Sequence, residues 1–162
     1  MHNTIYHMSE YNIPRTKLTE EEIITEHSWF VHLIAEYVDK NTDRNKDIQK
    51  LYDSFDKETK KYVELCYRNG QFISIEFKKG FKQAYFNKKY KLLKKAADTI
   101  TLEEFIKNDL ATFNIESLVE NKYDAYVLDD TTECLWCFDK FVRLLDDERS
   151  IWYFGNTIDY SC

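Results

Sequence analysis

The chain has 162 residues with a net charge of −6, and it carries 11 Phe, 12 Tyr and 3 Trp but only three glycines and one proline. So few breakers leave little material for tight turns, which favours long helices over a many-stranded sandwich. No run approaches the roughly 20 apolar residues of a membrane span. The N-terminus lacks a signal-peptide pattern, so Cys66, Cys134, Cys137 and Cys162 read as reduced thiols of a cytoplasmic protein.

Residues 1–17, punctuated by Pro14, read as an arm or a short strand. A helix follows. Thr19 with Glu22 forms a capping box, Leu18 with Ile23 forms a hydrophobic staple, and an apolar stripe runs Ile23, Ile24, Phe30, Val31, Ile34, Ala35, Val38. Ile48, Leu51, Tyr52, Phe55, Tyr62, Val63 and Cys66 continue one face, which predicts a single helix over 45–68, kinked near Asp56 and stopped by Asn69-Gly70. Residues 71–77 fit either period, with Ile73, Ile75 and Phe77 alternating as in a strand. A second capping box, Thr101 with Glu104, opens a helix ending near Asn114. Ala125–Leu128 is a short apolar run. Asp130 with Glu133 opens a last helix through Leu145, and Ile151–Phe154 precedes a turn at Gly155-Asn156. The expected fold is therefore mainly α: one compact domain over 1–162, with a helical core from residue 18. It has at most a small two- or three-stranded sheet from 73–77, 126–128 and 151–154; α+β is the alternative.

Charge is distributed unevenly. Residues 78–95 hold eight lysines and no carboxylate, and the window 57–97 carries 12 basic against 3 acidic side chains. The flanks are acidic, with net charges of −5 over 1–56 and −10 over 98–162. The lysine segment reads as an amphipathic helix with Phe81, Tyr85, Leu92 and Ala96 on one side. Lys82, Lys88, Lys89, Lys91, Lys94 and Lys95 then become candidate contacts for phosphates or for a partner, with Tyr85 and Tyr90 as aromatic contacts. The planar forks that read bases are represented only by Gln83 and Asn87, so nucleic-acid binding there would be nonspecific. The expectation is that these lysines face the protein's own acidic flanks, which oppose a polyanion. Asp129, Asp130, Asp146, Asp147 and Glu148 form a candidate acidic surface for a basic partner, since spaced carboxylates can imitate a phosphate track.

Cys134-Leu-Trp-Cys137 is the one spacing that suggests metal or thiol chemistry. Placed in a helix beside Phe138, Phe141 and Leu145, both cysteines read as core residues, and no metal or cofactor is expected. His27 and His32 are five residues apart and cannot share a metal as an HExxH pair does; His2 and His7 fall in the arm. The isolated glycines exclude a P-loop, a dinucleotide fingerprint and a GxSxG elbow.

These features together predict a non-catalytic binding protein that meets another protein through charge complementarity and exposed aromatics, without a membrane and with a homodimer as a further arrangement. A phage or mobile-element accessory factor that blocks a nucleic-acid-handling host protein fits that pattern. The alternatives are a nonspecific nucleic-acid binder using 78–95 and a metal- or thiol-dependent protein centred on Cys134 and Cys137.

Overall fold

A mixed seven-stranded sheet, and not a helical bundle, forms the centre of the molecule. The computed structural model describes residues 2–13, 20–39, 42–107, 110–121 and 124–162. In chain order these are β1 (His2–Ser9), α1 (Glu20–Glu26), α2 (Ser28–Leu33), β2 (Tyr37–Asp39), α3 (Arg44–Ser54), α4 (Lys57–Lys60), β3 (Val63–Arg68), β4 (Gln71–Phe77), α5 (Phe81–Thr99), α6 (Leu102–Lys107), α7 (Leu110–Val119), β5 (Tyr126–Asp129), β6 (Cys134–Cys137), α8 (Phe138–Leu144) and β7 (Ser150–Ser161). Among the described residues no helix is long and apolar enough to cross a membrane.

The strand order is β3-β4-β7-β1-β5-β6. β1 and β5 run parallel, with Ile5 opposite Tyr126, and the other neighbours are antiparallel. β7 takes β1 along one edge; its other edge takes β4 near its start and β2 near its end. From Thr4 to Ser9 every residue of β1 is buried, as expected for a central strand covered on both faces. One layer packs Ile48 and Leu51 of α3, Phe81 of α5 and Phe138, Phe141 and Val142 of α8 against Tyr6, Met8, Trp152 and Phe154. The opposite layer packs Ile23 of α1 and Phe30 of α2 against Ile5, Tyr126, Ile158 and Tyr160.

An irregularity in β7 sorts these side chains. The register passes from Tyr6 opposite Thr157 to Met8 opposite Phe154, so Gly155 and Asn156 together face His7. That extra residue reverses the alternation: Trp152 and Phe154 face one layer, Ile158 and Tyr160 the other. Glycine is required there, because a Cβ on residue 155 would lie 2.3 Å from His7 Nδ1. The Arg44 guanidinium secures the distorted backbone, donating to the carbonyls of Gly155 (2.6 Å), Phe154 (3.1 Å) and Phe72 (2.7 Å).

Several expectations are corrected. The mainly helical fold with a small sheet gives way to an α/β fold, although 73–77, 126–128 and 151–154 do lie in strands of the one sheet. Residues 2–9, expected as part of an arm or a short strand, form an eight-residue strand at the middle of that sheet. The helix drawn over 45–68 ends at Ser54. After the single turn of α4, capped by Asp56 accepting from the Thr59 amide at 2.8 Å, the chain becomes β3. Asn69 (φ 50°) and Gly70 (φ 76°) form a hairpin turn and not a helix cap, as the left-handed pair typical of two-residue loops. Gly155-Asn156 is a bulge and not a turn. The last helix begins only at Phe138; residues 134–137 are β6, entered through Glu133 at φ 57°. Val38 lies in β2, outside any helix. The Thr101 box forms as expected, with Thr101 N donating to Glu104 Oε2 (2.8 Å) and Glu104 N donating to Thr101 Oγ1 (3.2 Å). Pro14, Leu18 and Thr19, with the first cap and staple, lie outside the described residues.

Candidate interaction surface

α5 carries the lysine segment and is fixed at its N-terminal half. Gly80 caps it at φ 97°, and a Cβ there would press within 2.8 Å of the Tyr62 ring. Phe81 is buried against Phe77 (4.6 Å between ring centroids) and Phe55 (5.6 Å). Tyr85 donates to Asp139 Oδ1 at 2.7 Å. Burial and the Asp139 carboxylate push the Tyr85 hydroxyl well above the usual tyrosine range, so it stays a donor. Beyond Phe86 the helix has no buried residue, and it packs alongside α7.

The lysines divide into two groups. Lys78, Lys79, Lys82 and Lys89 pair with Glu64 (2.9 Å), Glu148 (3.2 Å), Asp147 (3.1 Å) and Asp139 (2.6 Å). The expected pairing with the acidic flanks is thus met in part: Lys79, Lys82 and Lys89 reach the C-terminal third, while Glu64 lies within the basic window itself. Lys88, Lys91, Lys94 and Lys95 form no ion pair among the described residues, and Lys94 instead lies 5.5 Å from the centroid of the exposed Tyr90 ring. Lys88, Lys91 and Lys95 share one side of the helix and line an open groove of about 940 Å³ between α4 and α5. Tyr62, Phe86, Tyr90 and Leu92 supply its apolar lining, Asp56 stands near Lys88, and Glu58 lines the same groove. Hydrogen bonding from Thr59 holds the Asp56 carboxyl below the usual carboxylate range, which keeps that anion fixed.

The candidate acidic surface does not assemble as one patch. Asp129 is buried and serves its own turn, accepting from Thr131 N and Thr132 Oγ1 at 2.9 Å each. Asp130 places Oδ1 2.8 Å from Nε2 of buried His7. Asp147 and Glu148 face α5, and Asp146 accepts from the Glu148 amide at 3.0 Å.

The two CLWC cysteines lie in a strand, so the helical placement is corrected. Strand alternation sends Leu135 and Cys137 to the α1–α2 layer and Trp136 to the other, which leaves Cys134 on the face opposite Cys137. The pair therefore does not share a face as the helical reading required. Burial pushes the Cys137 thiol up to about 11, aided by its contact with Glu120. Among the described residues no group of three His, Cys, Asp or Glu is arranged to hold a metal ion. His27 is buried between α1 and α2, and His32 is exposed.

Comparison with protein-family models, curated proteins and solved structures finds no match to this chain.

One surface was not legible beforehand. Of the fifteen exposed large hydrophobics among the described residues, eight fall within 90–119: Tyr90, Leu92, Leu102, Phe105, Ile106, Leu110, Phe113 and Val119. α6 has no buried residue at all. The available signal was a run with more apolar residues than one helical stripe can bury, since a soluble helix normally keeps an opposite polar face. The groove lining from Asp56, Glu58 and Tyr62 had no such signal, because those residues reach α5 only through the fold.

Proposed function

We propose that this chain is a non-catalytic binding protein that engages another protein through the surface of α5, α6 and α7. The carrying observation is the concentration of exposed apolar side chains on these helices, five of them in α6 and α7 between residues 102 and 113. Scattered single hydrophobics are ordinary on a protein surface, whereas apolar side chains gathered on one excursion of the chain point to a contact. Lysines without ion pairs border this region, which suits a partner bearing carboxylates.

A variant with Leu102→Ser, Phe105→Ser and Ile106→Ser tests this, since none of the three is buried and the fold should survive. Stoichiometric protein partners captured by the native chain should be absent with this variant at unchanged thermal stability. Retention of the same partners would refute the reading. A dimer in sedimentation that the variant dissolves would replace the foreign partner by a second copy of the chain.

Nonspecific nucleic-acid binding is the second reading, favoured by Lys91, Lys94 and Lys95 standing near exposed Tyr90. It requires affinity to fall by about 0.7 to 0.9 log units per log unit of salt for each phosphate neutralised. The Asp56 and Glu58 carboxylates in the same groove weigh against it.

A further inference from the structure

We infer that the groove between α4 and α5 takes an amphipathic helix from a partner protein. That helix carries acidic residues at i, i+3 and i+7 and a lysine or arginine toward Asp56 and Glu58. The inference rests on the protein-binding reading and assigns the chemistry of one part of its surface. It uses side chains separate from those of α6.

Three observations select this occupant. Lys88, Lys91 and Lys95 follow i, i+3, i+7 spacing along one side of α5 and form no ion pair among the described residues. At 1.5 Å rise per residue they span about 10 Å, and a second helix lying alongside repeats its own side chains at the same intervals. Acidic residues at that spacing meet the lysines one to one. The groove is also apolar between its charges: Tyr62 and Phe86 line it, and Tyr90 and Leu92 are exposed at 59% and 44%. That lining accepts interleaved leucine or aromatic anchors, the usual way a helix is seated in a groove.

Polarity supplies the third observation. Asp56 is held ionised by the Thr59 amide, and Glu58 lies in a salt bridge with Lys61 at 2.8 Å, so one end of the groove carries anions. A nucleic-acid strand bears a phosphate at every step and would bring one against those carboxylates. A protein helix can place a cation against them, with one carboxylate for Lys88 a turn away and the others for Lys91 and Lys95 farther along. Charge complementarity within one groove therefore favours the helix over the polyanion.

The test is selection of a displayed library of random peptides, about 16 residues long, against the full chain. Binders are then compared on a folded variant carrying Lys88→Glu, Lys91→Glu and Lys95→Glu. Enriched peptides should show Asp or Glu at i, i+3 and i+7 with Leu, Phe or Trp between them. Their affinity for the variant should fall about tenfold, the scale of three exposed ion pairs. Peptides with those acids exchanged for lysine should recover binding to the variant. If the glutamate variant does not fold, the corresponding glutamine variant replaces it and should show a smaller loss in the same direction, since it removes the attraction without adding repulsion. Peptides without the acidic period, or binding unchanged by the variant, would overturn the inference, as would an oligothymidylate that competes at physiological salt. If these peptides fail while protein capture persists and remains sensitive to the α6 variant, only this inference falls and the binding function stands.

Discussion

Removing the Lys89 ammonium should destabilise the fold more than neutralising the carboxylate it pairs with. The Asp139 side chain is 1% exposed and receives Lys89 Nζ at 2.6 and 2.7 Å, Tyr85 Oη at 2.7 Å and the Asn121 amide at 3.1 Å. These contacts join α5, α8 and the segment after α7. Lys89 is 25% exposed, and its flexible stem can carry the ammonium into water if the partner is lost. Asp139 has no such escape. Lys89→Met strands a buried carboxylate and should cost about 3 kcal/mol, the lower end for a broken buried pair. Asp139→Asn keeps a polar group for Tyr85 and Asn121 and should cost about 1 to 2 kcal/mol. For a chain of this size the midpoint of thermal unfolding should then drop by about 6 to 12 °C for the first variant and about 2 to 8 °C for the second. Urea unfolding followed by tryptophan fluorescence supplies both free energies, and the double variant supplies the coupling. A smaller loss for Lys89→Met than for Asp139→Asn would refute this account, as would losses below about 0.5 kcal/mol in both, the size of an ordinary surface change.

Three further outcomes are expected. Gly155→Ala should destabilise by about 1 to 3 kcal/mol through overpacking against His7, and the added change His7→Ala should recover part of that loss in urea unfolding; no recovery would mean that the clash lies elsewhere. Burial lowers the pKa of the His27 imidazole, with the neighbouring Glu26 carboxylate opposing the shift. The unfolded chain therefore takes up this proton first, and stability should be lost as pH falls below about 6.5 toward the depressed folded value; His27→Gln should flatten that slope, and an unchanged slope would refute the assignment. The Cys137 thiol, raised to about 11, should resist a thiol reagent at neutral pH in the folded chain and react once the chain is unfolded, so fast labelling of native Cys137 would contradict its burial.

The elements that were legible in the sequence are the ones held together locally. The lysine helix and the Thr101 box depend on residues three and four apart, and both form. The missed strands depend on remote partners. Ile48, Leu51, Tyr52 and Phe55 belong to a helix, and Tyr62, Val63 and Cys66 happen to continue its spacing. In β3 it is Val63 and Leu65, opposite Phe77 and Ile75, that set the strand. The scarcity of glycine misled as well, because Asn69 and Glu133 adopt left-handed conformations that glycine would otherwise supply. The site divides in the same way. The lysines could be named from charge alone, but their separation into paired and unpaired groups depends on Asp139 and Asp147, some fifty residues or more along the chain. His7 could not be distinguished from its neighbours until β7 placed Gly155 beneath it.

The insertion of β1 between β5 and β7 bears on how the chain is made. Hydrogen bonding joins His2 to Asp159 across 157 positions. During synthesis the first strand must therefore wait, unpaired along its β7 edge, until residues 150–161 have left the ribosome. A product stopped before residue 150 would contain β3 with β4 and β1 with β5 and β6, with no strand pairing to join the two groups. Each group would then expose an uncovered strand edge, a template for association with other chains. Folding that depends on pairing residues 2–9 with residues 153–161 is slow relative to folding of local hairpins and helices. A product lacking residues 150–161 should therefore associate with other chains more readily than one in which β7 joins β1 and β4.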